Sequence, residues 1–257
     1  MKNIDNIKLF CLDMDGTIYL DNTLLPKAKE AIEYLRQKAK IVFLTNNSSK
    51  SAKTYIEKLN KLGIKITKDE IYTSGQATCE YISRHFKGKS VYLLGTQALK
   101  DEFESYNIPL DDVNPDLAVL GYDTSLKYEN LCKFTNFLHM NKPYIATHPD
   151  INCPAAPYYV PDIGSFMAMI EKSTNRKPEL ICGKPYTIMG ETIMNKFNLK
   201  AHEIAMVGDR LVTDIKFGQN NGFLSILVLS GETTLEHYNS QEIKADLVLN
   251  SIADLIK

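Results

Sequence analysis

Short runs of consecutive apolar residues alternate with segments whose apolar positions recur every three or four residues. The first describes buried strands, the second amphipathic helices. Lys8–Leu12 is an apolar run ending in acidic residues, and Ile41–Leu44 is a second, ending at Thr45–Asn46–Asn47. Between them Pro26 opens a helix with Ala28, Ala31, Ile32 and Leu35 on one face. Ser49 is an expected cap for the next, with Tyr55, Ile56, Leu59 and Leu62 inward and Gly63 at its end. Strands apolar throughout suit a parallel sheet covered on both faces.

The middle of the chain predicts strands at Val91–Leu94, Leu117–Leu120 and Tyr144–Ala146. Helices are expected at Glu80–Phe86, Ala98–Tyr106, Leu126–Met140 and Ser165–Ser173. Pro149, Pro154, Pro157 and Pro161 predict a structured loop, because proline lacks the amide that regular structure needs. The last third returns to the first rhythm. Strands are predicted at Leu180–Cys182, Ile204–Val207, Leu224–Leu229 and Leu247–Leu249, with helices at Tyr186–Phe197 and Leu211–Gln219. The outer thirds resemble each other more than either resembles the middle. The expected organisation is one α/β core from residues 1–74 and 180–257, interrupted by an α/β domain at 75–179.

With 257 residues, the length alone admits one large domain or two modest ones; the pattern selects two. Hydrophobic content of 44% argues against disorder. Thirty basic against 31 acidic residues give a net charge of -1 and no global positive field for a nucleic-acid polymer. The first ten residues lack a signal-peptide h-region and no apolar run is long enough to span a bilayer, so a cytoplasmic location without membrane attachment is expected. The five cysteines are scattered without a CxxC pair, the pattern of free thiols.

Four motifs follow apolar runs. Asp13–Met14–Asp15–Gly16–Thr17 places two carboxylates at a strand end, where parallel sheets bind ligands, with Gly16 allowing a tight turn. It is a poor calcium loop, since the glycine is fourth instead of sixth. Thr45–Asn46–Asn47–Ser48 collects hydroxyl, amide and backbone donors; a helix cap and an anion holder both fit it. Gly183–Lys184–Pro185 is not a Walker motif, because Pro178 and Pro185 stand where glycine and Ser or Thr would be needed. Lys184 there can neutralise a phosphate or a carboxylate. Gly208–Asp209–Arg210–Leu211–Val212–Thr213–Asp214 adds two carboxylates. Asp13, Asp15, Asp209 and Asp214 with one lysine, and no histidine or cysteine, form an oxygen-rich set that favours Mg²⁺ over zinc.

DMDGT, TNN, GKP and GDRLVTD, in that order, resemble the four motifs of the haloacid-dehalogenase (HAD) superfamily. The insertion between TNN and GKP resembles its type IIA cap, as in the NagD-like and 4-nitrophenylphosphatase-like phosphatases, whose relatives include pyridoxal-phosphate and phosphoglycolate phosphatases. The resemblance implies a Rossmann-like parallel-sheet core and a phosphatase working through an aspartyl phosphate. It implies that Asp13 is the nucleophile and Asp15 the acid that protonates the leaving oxygen and then activates water. Gly16, Thr45, Asn46, Asn47 and Lys184 would hold phosphate, and Lys184 would be catalytic in steadying the nucleophile as well. Mg²⁺ would be held by the Asp13 carboxylate, the Asp15 carbonyl and Asp209, with Asp214 in support.

The inserted domain must then supply selectivity. His148 stands where relatives often carry Asn, and both substrate contact and a structural hydrogen-bonding role fit it. Tyr158 and Tyr159 suit either stacking on a planar group or packing. The expected partner is a small phosphate monoester, a sugar phosphate or other phosphometabolite first, with nucleoside monophosphate or pyridoxal phosphate next. A phosphotransferase and a catalytically silent phosphate binder are the alternatives, and a homodimer stays open.

Overall fold

A computed structural model describes residues 4–155 and 158–256. The chain divides into two compact units. One comprises Met1–Thr45, Ala52–Tyr72 and Lys184–Lys257; the other comprises Asn46–Ser51 and Thr73–Gly183.

The first unit is built on a six-stranded sheet. Its strand order is Leu247–Leu249, Leu224–Val228, Ile204–Gly208, Leu9–Leu12, Lys40–Thr45, Ile71–Thr73. The four pairings from Leu247–Leu249 through Lys40–Thr45 are parallel. Leu9–Leu12, Ile204–Gly208 and Leu224–Val228 are buried along their whole length, as their uninterrupted apolar runs require. The helix Ala28–Arg36 buries Ala28, Ala31, Ile32 and Leu35, the face its periodicity predicts. The helix Ala52–Lys61 buries Ala52, Tyr55 and Leu59, with Ile56 and Leu62 packed partly buried against the same core. This is a Rossmann-like parallel core, as the resemblance implies, and further small sheets and helices form a cap-like insertion.

The second unit holds a four-stranded sheet in the order Leu180–Ile181, Tyr144–Ala146, Leu117–Leu120, Val91–Leu94, all parallel. Its core joins Tyr92, Leu120, Phe134, Tyr144 and Ile170, so the helices Tyr128–His139 and Ile163–Thr174 pack on this sheet. The ring of Phe134 meets that of Tyr144 edge-on at 5.2 Å between centroids. Truncating such a buried ring costs about 3–5 kcal/mol.

Four elements differ from expectation. Leu180–Ile181 pairs with Tyr144–Ala146 instead of joining the larger sheet; being half-buried, it suits the edge it occupies. Ile71–Thr73, too short to show a pattern, is a strand. Thr73 caps the helix that follows it by accepting the Gln76 amide, so this helix runs Ser74–His85, six residues longer at its start than predicted. The proline-rich stretch is not a loop. Asn152–Ala155 and Tyr158–Pro161 form an antiparallel hairpin, with Pro154 opposite Tyr159 and Pro161 opposite Asn152. Both strands of a two-stranded sheet are edges, and an edge tolerates a missing amide. Pro157 lies outside the described residues. Among the described residues no helix is long and apolar enough to cross a membrane.

Candidate active site

In the first unit, parallel register brings the acidic motifs together. Leu12 pairs with Val207. The Asp13 amide continues the ladder to the Val207 carbonyl at 2.9 Å. Asp13 and Asp209 therefore leave neighbouring strands at the same, carboxyl end of the sheet, where open α/β folds bind ligands. Asp214 follows in a π-helical turn, Leu211–Ile215, an irregularity frequent at functional sites. Ligand oxygens of Asp13, Asp209 and Asp214 all lie within 4.8 Å of one another.

Lys184 bridges two of these acids. Its Nζ donates to Asp13 Oδ1 at 2.6 Å and to Asp214 Oδ1 at 2.7 Å. Lys184, Asp209 and Asp214 are buried, while Asp13 keeps part of its side chain exposed. Burial works against the Lys184 charge, but Asp13 and Asp214 outweigh it and raise its pKa. Burial raises the Asp13 carboxyl well above the usual range; Lys184 opposes that, while Asp214 and Asp209 add to it. Asp209 is pushed up to about 7 by burial and then by Asp214, against the Glu232 backbone hydrogen bond. Three carboxylates facing one ammonium leave negative charge uncompensated in a dry site, which is costly.

The turn after Asp13 is closed by the Ile18 amide donating to the Met14 carbonyl at 2.8 Å and by the Gly16 amide donating to Tyr19 at 2.8 Å. Gly16 has φ +79, and a Cβ there would overlap the Asp209 carboxylate. Glycine thus serves both the turn and the approach of the two motifs. Thr17 Oγ1 donates to Asp209 Oδ1 at 3.4 Å. The Asp15 side chain is exposed, and the three-acid group does not include its carboxylate. Thr45 ends its strand half-buried in the same unit.

Asn46, Asn47 and His148 belong to the second unit. Asn46 Nδ2 donates to Asp150 Oδ1 at 2.9 Å, and its carbonyl accepts from Ser74 Oγ. Asn47 Oδ1 accepts from the Ser49 amide at 2.9 Å and from Ser49 Oγ at 2.7 Å, an Asx turn. His148 has no exposed surface. Its Nδ1 meets Thr147 Oγ1 at 3.2 Å and its Nε2 meets Asp162 Oδ1 at 3.1 Å. Of its two open roles, this geometry favours the structural one. His148, Asp150 and Asp162 also bring ligand atoms within 4.8 Å, and their hydrogen bonds inside the unit account for that grouping. Tyr158 and Tyr159 are 79% and 67% exposed on the hairpin.

Sequence reading missed the segment that follows the Leu224–Val228 strand. Ser230 Oγ donates to the Gly16 carbonyl at 2.8 Å, and the Glu232 amide donates to Asp209 Oδ2 at 2.7 Å. Small residues at a strand end, Ser230–Gly231, were the only available signal.

Comparison with known proteins agrees with this geometry. Residues 10–109 match the haloacid dehalogenase-like hydrolases, and residues 181–255 match the HAD-hydrolase-like family. The chain is 33% identical over 238 residues to the acid sugar phosphatase of Staphylococcus aureus strain MRSA252, covering 92% of each chain. The structure of a 4-nitrophenylphosphatase from Thermotoga maritima superposes with a TM-score of 0.95 at 49% identity, covering 98% of this chain and 97% of that one. NagD from E. coli K-12 superposes with a TM-score of 0.89 at 31% identity, covering 96% and 98%. Motif order, the acid cluster at the carboxyl end of the sheet and these likenesses agree: the chain belongs to the haloacid dehalogenase-like hydrolases and is a HAD-type phosphatase.

Proposed function

We propose that the protein is a Mg²⁺-dependent hydrolase of small phosphate monoesters that works through an aspartyl-phosphate intermediate at Asp13. The observation that carries this reading is the Lys184 bridge between Asp13 and Asp214 beside Asp209. It orients one carboxylate at a strand end and offsets part of the repulsion between that carboxylate and a phosphate dianion.

The donor set suits a hard cation: three carboxylates with closely spaced oxygens, no thiol or imidazole, and negative charge that Lys184 alone does not neutralise. Asp13 and Asp209 would hold Mg²⁺ with the Asp15 carbonyl, and Asp214 would support them through Lys184. When bound, the ion would supply charge stabilisation at the transferring phosphoryl group.

The remaining chemistry is the protein's own. An Asp13 oxygen attacks phosphorus, and the bond to the ester oxygen breaks. Asp15, protonated at the start, gives its proton to the leaving oxygen. The Asp15 carboxylate then takes a proton from water, whose oxygen attacks phosphorus and breaks the bond to Asp13. Inorganic phosphate leaves and Asp15 is protonated again. Thr45 would hold the nonreacting phosphate oxygens with Lys184.

The substrate class follows from the acid sugar phosphatase relative: a sugar phosphate or similar small phosphometabolite. A panel of sugar phosphates, nucleoside monophosphates, pyridoxal phosphate and 4-nitrophenyl phosphate, with Mg²⁺ and EDTA arms, tests it. Mg²⁺-dependent phosphate release led by the sugar phosphates is expected. Absence of turnover across the panel would overturn the reading, and loss of free phosphate upon adding an acceptor alcohol would mark a phosphotransferase.

A further inference from the structure

The turn after the strand Leu224–Val228 of the larger sheet reaches the acid cluster from a side that none of the four motifs supplies. Three contacts converge there. The Glu232 amide donates to Asp209 Oδ2 at 2.7 Å, while Thr17 Oγ1 donates to Asp209 Oδ1. Ser230 Oγ donates to the Gly16 carbonyl at 2.8 Å, next to the Asp15–Gly16 peptide. Gly231 packs flat on the same carboxylate, and a Cβ there would overlap Asp209 Oδ2. The Arg210 guanidinium, adjacent in sequence to Asp209, pairs with Glu232 at 2.9 Å and so closes a ring from Asp209 through Arg210 and Glu232 back to Asp209.

A carboxylate with a donor on each oxygen and a backbone against its face has one orientation. We propose that Ser230–Gly231–Glu232 is a positioning segment that sets the Asp209 carboxylate and the Asp15–Gly16 turn for Mg²⁺. This rests on the metal-dependent reading given above. In this role the three residues act through Asp209 and the turn, not on substrate. Outer partners of metal ligands of this kind are worth about 10–100-fold in metal affinity.

The test measures Mg²⁺ binding to the substrate-free full-length protein by calorimetry, alongside Mg²⁺ half-saturation and substrate KM. Gly231→Ala should weaken the Mg²⁺ dissociation constant by about tenfold or more, by displacing Asp209. Ser230→Ala should weaken it about threefold, and Ser230→Thr, which keeps the hydroxyl, should restore it. Substrate KM at saturating Mg²⁺ should stay within twofold in each, which a general loosening of the site would not give. Unchanged Mg²⁺ affinity in both Gly231→Ala and Ser230→Ala, with the wild type Mg²⁺-dependent, overturns the positioning role alone. If Gly231→Ala fails to fold, Ser230→Ala decides in the same terms. A wild type that binds no Mg²⁺ overturns this proposal together with the metal-dependent function.

Discussion

Lys184 Nζ donates to Asp13 Oδ1 at 2.6 Å across 171 positions of chain. The two residues flank the whole of the second unit in sequence, yet within the first they form one charge-assisted contact. If Asp13 is the nucleophile, Asp13→Asn removes the attacking charge while keeping the shape. Turnover should fall at least about a thousandfold with the far-ultraviolet circular dichroism unchanged. Near-normal Mg²⁺-dependent phosphate release by that variant would refute the covalent route.

Lys184→Met leaves Asp13 and Asp214 facing each other without their common cation. Unpairing a buried charge costs about 3–5 kcal/mol. Urea denaturation at pH 8 should register a loss of that order, shrinking toward pH 5 as protonation of Asp13, whose carboxyl burial holds above the usual range, relieves the repulsion. Equal losses at both pH values would show that Lys184 contributes packing alone.

Asp209 supplies a pH dependence with a definite sign. Its pKa rises from an ordinary 3.8 to about 7 on folding, so between these values the folded state binds the extra proton. Stability from this group is present below about pH 4 and is lost as pH rises through about 7. In EDTA, the melting temperature should therefore fall across that window, and Asp209→Asn should flatten the fall. A wild-type profile in EDTA that rises through the window, or one that Asp209→Asn leaves unchanged, would contradict this assignment.

His148 is tested by separating stability from binding. His148→Ala strips Asp162 of a buried partner, which should cost about 1–3 kcal/mol in urea. KM for whichever ester is turned over should stay within twofold. A large KM rise without a stability change would make His148 a substrate contact after all.

Tyr158 and Tyr159 behave in the opposite way. Replacing either exposed ring with alanine should change stability by no more than about 0.5 kcal/mol. A raised KM for an aromatic phosphate, with unchanged KM for an aliphatic one, would identify them as a stacking surface. Loss of stability would instead show that they pack.

The acid cluster was legible because each part is local. An apolar run ends, a turn residue follows, and a carboxylate sits between; parallel pairing then does the assembly, as Leu12 opposite Val207 shows. The hairpin at Asn152–Pro161 was illegible because prolines speak against strands in general, and only pairing reveals that these strands are edges. The Ser230–Glu232 contacts were illegible for a different reason. Ser230 meets Gly16 across 214 positions and Glu232 meets Asp209 across 23, and a serine or glycine at a strand end carries no mark of such a partner. Sequence order alone places Asn46 and Asn47 with the first unit's strand end, whereas Asp150 and Ser49 engage their side chains in the second.

The assignment of Asn46–Ser51 to the second unit has a consequence for ancestry and engineering. That unit is not one inserted paragraph of sequence but two, a six-residue phrase and a long one. Ser48 Oγ meets Thr147 Oγ1 at 2.9 Å and accepts the Tyr122 amide at 2.9 Å, so the short phrase is stitched into the long one. A chimera that exchanges only Thr73–Gly183 between relatives would bring in a new fabric and leave the old thread behind. Exchange of specificity by recombination is therefore expected to need both segments from the same parent.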